Sequence, residues 1–143
     1  FDPYRAVDTC VCMGASIGMA KGAAEAGVHP SVAVIGDSTF GHSGLTPLLS
    51  AAASDTNMVV IVLDNSTVAM TGGQPSFASG ARLLKMIEGL GVSREHLRTI
   101  TPLPKFHETN VAVLREEIAH PGLSVIVAVR ECLEEAKKKR RRG

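Results

Sequence analysis

Three runs of β-branched and aliphatic residues, SVAVI at 31–35, NMVVIVL at 57–63 and SVIVAV at 124–129, stand far enough apart to hold a helix and a return between them. A weaker run lies at Leu97–Thr101. Each is too short for a helix and too continuously apolar for a sheet with one wet face, so each reads as a strand buried on both sides. The intervening Ala15–Ala26, Gly44–Ser54, Ala81–Leu90 and Phe106–His120 have helical composition, the last with apolar Val111, Leu114 and Ile118. Parallel neighbours require a long, usually helical crossover. The alternation therefore predicts the α/β class, a three-layer α/β/α arrangement around a mainly parallel central sheet.

At 143 residues the chain is long enough for one core without staples. Aromatic residues are only 3% of it, which argues against a stacking platform for nucleic acid. Six of its 15 basic residues fall in Lys137–Arg142, leaving nine against 14 acidic residues elsewhere. The body is thus mildly acidic, and no nucleic-acid partner is expected. We read residues 1–130 as the domain and 131–143 as a basic tail or linker, expected to be disordered. Cys10, Cys12 and Cys132 lack CxxC spacing, which speaks against a disulfide framework or a zinc site and fits a reducing cytoplasm. Cys10 and Cys12 are expected to be small buried hydrophobes. No apolar run approaches membrane-spanning length. The start without Met and the abrupt basic end suggest an excised part of a longer subunit.

In open parallel sheets, ligands gather beyond the carboxyl ends of the strands. Two such ends carry oxygen donors here, Gly36-Asp37-Ser38 and Asp64-Asn65-Ser66-Thr67. The 28 positions from Asp37 to Asn65 suit a loop, a helix and a return strand, which brings both side chains to one edge. A carboxylate and an amide oxygen with no histidine or thiolate in the same motif suit Mg2+. Because Mg2+ usually takes further oxygens from phosphate and water, a phosphorylated cofactor is expected beside it. Gly36 permits close approach, and Ser38, Thr39, Thr71, Gly72 and Gly73 offer donors for diphosphate oxygens. The long Gly/Ser/Thr-rich stretch Asn65–Gly80 is expected to be an irregular loop belonging to a site.

GDS followed by Asn65 resembles the diphosphate and magnesium motif of thiamine diphosphate enzymes. The extension NSTVAMTGGQP, with DTCVCMGASIGMAKG before the strand and GDSTFGHSGLTPLL after it, is similar to the thiamine-binding domain of 2-oxoacid:ferredoxin oxidoreductases, specifically the indolepyruvate type. The resemblance covers about Ala6 to Pro75 strongly. It implies that Asp37, Asn65 and the main-chain carbonyl of Thr67 ligate magnesium. It also places Gly36, Ser38, Thr71 and Gly72 at the diphosphate and Cys12, Met13 and Gly14 near the thiamine rings, with Asp64 orienting the loop. The implied reaction is oxidative decarboxylation of an arylpyruvate to an acyl-coenzyme A, with electrons passed through iron–sulfur clusters to ferredoxin. The pyrimidine-binding domain and the iron–sulfur clusters are expected in parts of the subunit missing here, so the segment is predicted inactive alone, with dimerisation or docking to other domains and a second subunit.

Plainer readings stand beside these. Asp37 can cap the following helix, His42 can be a structural hydrogen-bonding residue rather than a proton carrier, and Gly14, Gly18 and Gly22 can form a close-packing helix face. Glu25, Glu88, Glu116 and Glu117 read as solvated helix charges. Gly41-His42-Ser43-Gly44-Leu45 fails the nucleophile-elbow pattern at its last position. No phosphate-loop motif accompanies the acidic strand end. Two rivals remain, a non-catalytic cofactor-fold module used for assembly and another thiamine diphosphate-dependent 2-oxoacid decarboxylase.

Overall fold

The computed structural model describes residues 2–68 and 74–131. Helix α1 (Ser16–Glu25) leads into β1 (Val32–Gly36), then α2 (Asp37–Thr39), a π-helical turn at Phe40–Gly44, α3 (Leu45–Ala53) and β2 (Met58–Asp64). A two-residue pair, β3 (Thr67–Val68) and β4 (Gln74–Pro75), precedes α4 (Gly80–Gly89), β5 (Leu97–Ile100), α5 (His107–Ala119) and β6 (Leu123–Val129). Strands β1, β2, β6 and β5 form one parallel sheet in that order.

Strand order explains the layers. The steps from β1 to β2 and from β2 to β5 run one way, and the step from β5 back to β6 runs the other. With right-handed crossovers, α5 must then lie on the face opposite α3 and α4. The core divides accordingly. On one face Ile17 and Ala20 of α1, Leu48 of α3, and Leu83 and Ile87 of α4 pack against Ile35, Val60, Val62 and Val125. On the other, Val113 and Leu114 of α5 pack against Val59, Ile100 and Ile126. The second layer covers only half the sheet, so Val32 and Val34 of β1, 41% and 50% exposed, face out on the α5 side.

The helix after β1 begins earlier than its composition suggests. Asp37 is its first residue, and the backbone stays helical through the π turn into α3, at Thr39 (φ −66°, ψ −37°) and Gly44 (φ −88°, ψ −19°). Pro47 follows directly on the π turn, where the regular ladder of helix hydrogen bonds is already interrupted. The π turn buries the Phe40 ring completely, a burial that contributes about 2–3 kcal/mol.

Two expectations are corrected here. A Cβ added at Gly18 or Gly22 would meet nothing among the described residues within 4 Å, so these glycines serve no close packing there. Glu117 is not a solvated charge but is 1% exposed. Its Oε1 accepts from Arg98 at 2.9 Å, while Oε2 accepts the Ser124 hydroxyl at 2.8 Å and contacts His96 Nδ1 at 2.9 Å. Burial pushes its carboxyl up, and His96, Ser124 and Arg98 together outweigh that and hold it below the ordinary range.

Candidate functional site

At the end of β1, Gly36 is the N-cap and Asp37 opens the helix, so the acid sits where the helix dipole favours a negative charge. Its side chain belongs to a residue only 2% exposed. Oδ1 accepts the Ser38 N–H at 2.7 Å, a bond from the next residue and not an N-cap bond, while Oδ2 is buried and has no hydrogen-bond partner among the described residues. An unsatisfied buried acceptor costs about 1–3 kcal/mol, more when charged. Burial raises the Asp37 pKa, the Ser38 N–H opposes that, and the Asp64 carboxylate raises it further. The Ser76 hydroxyl and the Ser66 N–H lie near enough to pull it down, yet among the described residues the buried Ser76 hydroxyl closes no hydrogen bond.

The neighbouring end of β2 is held differently. Register places Gly36 opposite Leu63, so Asp37 and the Asp64-Asn65 pair emerge at the same edge of adjacent strands. Asp64 accepts the Ser66 N–H at 3.0 Å and hydroxyl at 3.3 Å on Oδ1, and the Gly80 N–H at 2.7 Å on Oδ2. It thereby ties together both ends of the connection that leaves β2, the orienting role expected of it. Asn65 Oδ1 accepts the Thr67 N–H at 3.0 Å, and Ser66 takes φ 58° to make the turn. The connection is not wholly irregular as expected, because Thr67 pairs with Pro75 and Val68 with Gln74 in an antiparallel ladder. Thr71 and Gly72 lie outside the described residues.

After the ladder, the Ser76 N–H donates to the Ser66 carbonyl at 3.1 Å, and the following residues pack on the π turn. Gly41 allows this, since a Cβ there would stand 2.7 Å from the Ala78 Cβ and 2.8 Å from the Phe77 ring. That contact brings Ser76 to Asp37. Sequence reasoning missed Ser76, although its place just after the TGGQP stretch was a usable signal. His42 projects from the same π turn and is exposed.

The third wall is the segment before α1. Gly14 (φ 89°) packs so closely that an added Cβ would fall 2.0 Å from Ser43 Oγ. Residues 6–14 line a cavity of about 710 Å3 against Val32, Val34, Gly36 and Thr39. Cys12, Met13, Gly14 and Gly36 therefore line one cavity. Cys10 and Cys12 are exposed rather than buried, which corrects their reading as core hydrophobes. A Cβ at Gly36 would meet no atom of the described residues within 4 Å.

Chemically, the edge collects hard oxygens around one unpaired carboxylate oxygen. The Asn65 carbonyl oxygen has a second lone pair beyond the one given to Thr67. Among the described residues, no three His, Cys, Asp or Glu side chains converge to hold a metal by themselves. An ion here would need amide, main-chain and ligand oxygens as well, which is how Mg2+ commonly binds beside phosphates. The residues present fit a Mg2+-diphosphate group on that ground. Among the described residues no helix is long and apolar enough to cross a membrane.

Comparison with known proteins bears on this edge. Residues 2–138 match the family described as thiamine pyrophosphate enzyme, C-terminal TPP binding domain. The chain is 36% identical over 140 residues to indolepyruvate oxidoreductase subunit IorA of Archaeoglobus fulgidus, covering 91% of this chain and 22% of the relative. It is 34% identical to the protein of the same name from Methanothermobacter thermautotrophicus, covering 92% of this chain and 22% of the relative. Among solved structures, a thiamine diphosphate-dependent 4-hydroxybenzoylformate decarboxylase of Rhodococcus jostii superposes with TM-score 0.61 at 23% identity, over 83% of this chain and 23% of that one. The benzoylformate decarboxylase of Polynucleobacter necessarius gives TM-score 0.55 at 20% identity, over 84% and 25%. At such identities these two speak for the fold alone.

Proposed function

Because the chain belongs to the family of C-terminal thiamine pyrophosphate-binding domains of thiamine pyrophosphate enzymes, we propose that it holds thiamine diphosphate through Mg2+ at the shared edge of β1 and β2, within an arylpyruvate-oxidising subunit. The single observation that carries this reading is the buried Asp37 Oδ2, without a hydrogen-bond partner among the described residues. A fold does not keep such an atom for stability, and a cation is the partner that satisfies it. Asp37, the Asn65 amide oxygen and the Thr67 main-chain carbonyl would hold the ion. Gly36, Ser38, Thr71 and Gly72 would receive the diphosphate, while Cys12, Met13 and Gly14 would line the place of the rings.

When bound, the cofactor would supply the carbon nucleophile for decarboxylating a 2-oxoacid. The chain's own part is to fix the diphosphate and to wall the ring site with the 6–14 segment. His42, exposed on the π turn, is the residue proposed to contact substrate or move a proton. The relatives' shared name supports indolepyruvate as the 2-oxoacid. Coenzyme A as acyl acceptor, ferredoxin as electron acceptor and a cytoplasmic setting belong to the same proposal. The chain spans 22% of the length of those relatives. Iron–sulfur clusters, a second subunit and the remaining domains are assigned outside it, the domain to residues 1–130, and the isolated segment to inactivity.

Titration calorimetry tests this directly. Thiamine diphosphate should bind the wild-type chain only with Mg2+ present, and Asp37→Ala should lose more than the roughly 10–100-fold typical of outer-shell partners. Metal-independent binding, or equal affinity in the variant, refutes the assignment of Asp37. No binding even by the complete subunit would favour the assembly-module reading.

A further inference from the structure

The 6–14 segment carries two exposed thiols, Cys10 and Cys12, separated by one residue and both lining the cavity of about 710 Å3. We propose that they are a dithiol–disulfide couple that gates this cavity. The inference rests on the cofactor reading above and adds a regulation to it.

The geometry gives the couple its leverage. Cys12 is anchored on its carboxyl side, since its carbonyl accepts the Ala15 N–H at 3.2 Å at the start of α1. Gly14 is locked against Ser43, where no Cβ would fit. Cys10, by contrast, lies in a stretch without helix or strand. An extended chain separates Cα atoms two residues apart by up to about 7 Å. A disulfide wants roughly 4.4–6.8 Å. Bond formation would fix the pair within that shorter range, and with Cys12 held the adjustment falls on Cys10 and residues 6–11. Those residues are the cavity wall. A bridge between two exposed cysteines is of the labile, regulatory kind rather than a permanent staple.

The chemistry balances with a small-molecule disulfide such as oxidised glutathione. One cysteine thiolate attacks a glutathione sulfur, forms a mixed disulfide and releases one glutathione. The second cysteine then displaces the other. Two electrons and two protons leave the dithiol and end on two glutathione thiols.

The test equilibrates the 143-residue chain with reduced and oxidised glutathione, traps free thiols and digests with trypsin. The Ala6–Lys21 peptide should become two hydrogens lighter and refuse alkylation, while Cys132 takes the alkyl group. Oxidation should weaken Mg2+-dependent thiamine diphosphate binding at least tenfold and slow or speed amide exchange across residues 6–14, both reversed by a thiol reductant. Cys10→Ser should bind cofactor equally in either buffer. Glutathione adducts alone, pairing through Cys132, or bridges between chains overturn the couple. A bridge that forms and leaves both affinity and exchange unchanged overturns the gate. A reduced complete subunit that binds no cofactor at all defeats the cofactor reading, and the mass and exchange measurements on the chain still decide the couple and its effect on the wall.

Discussion

Among the described residues three carboxylates are almost wholly buried, Asp37 and Asp64 at 2% and Glu117 at 1% exposure, and Asp37 and Glu117 stand furthest apart. Both oxygens of Glu117 are engaged, by Arg98 on one side and by His96 and Ser124 on the other, and its pKa is lowered. Asp37 has one engaged oxygen and one orphan, faces a second acid in Asp64, and its pKa is raised. The same burial thus gives opposite outcomes according to how many donors arrive with it. Glu117 is built to hold α5 against β5 and β6. Asp37 is left short of donors, which is the feature on which the proposed cation rests.

Removing the satisfied acid should cost most. Glu117→Ala leaves Arg98 and His96 without their buried partner, and loss of one member of such a pair costs about 3 kcal/mol, read by urea denaturation. The charges left behind are about a third exposed, which keeps the figure at the lower end of that range. If Glu117→Ala proves neutral, the contrast collapses.

Gly41→Ala should cost about 1–3 kcal/mol by forcing apart the π turn and the Phe77-Ala78 contact. It should also draw Ser76 from Asp37 and weaken cofactor binding, which separates it from a simple packing defect elsewhere.

Asp37→Asn should act in the opposite direction and be smallest. The amide keeps an acceptor for the Ser38 N–H, offers a donor to the Ser76 hydroxyl and removes repulsion from Asp64, so the cofactor-free chain should gain about 1 kcal/mol. Its pH signature sharpens the comparison. A raised folded pKa means that the folded state binds the proton more tightly, so this group's contribution falls as pH rises above its ordinary 3.8 through the folded value. Glu117, with a lowered folded pKa, contributes stability above its ordinary 4.5 that is lost as pH falls through the folded value. Urea midpoints against pH should therefore lose their decline with rising pH in Asp37→Asn and their acid-side loss in Glu117→Ala. The same slope change in both variants would deny the contrast.

Much of the fold was legible because strands and helices announce themselves over short windows. VAVIG, MVVIVLD and LSVIVAV are the observed strands nearly residue for residue. The π turn through FGHSG was not legible, since helical backbone through two glycines rests on Phe40 packing and the segment that lands on Gly41. The exposure of Cys10 and Cys12 also escaped. Small apolar-looking residues are usually buried, and only the half-covered β1 side of the sheet leaves these out.

Periodicity and strand-end chemistry, both local properties, were enough to place Asp37 and Asn65 at one edge of a parallel sheet. Local pattern carries no record of who arrives from afar. Glu117 meets partners 7, 19 and 21 positions away, and Asp37 feels Asp64, Ser66 and Ser76 across a ladder that had to close first. Whether a buried acid is answered or left open is a sum over such distant neighbours, and only the folded chain performs it.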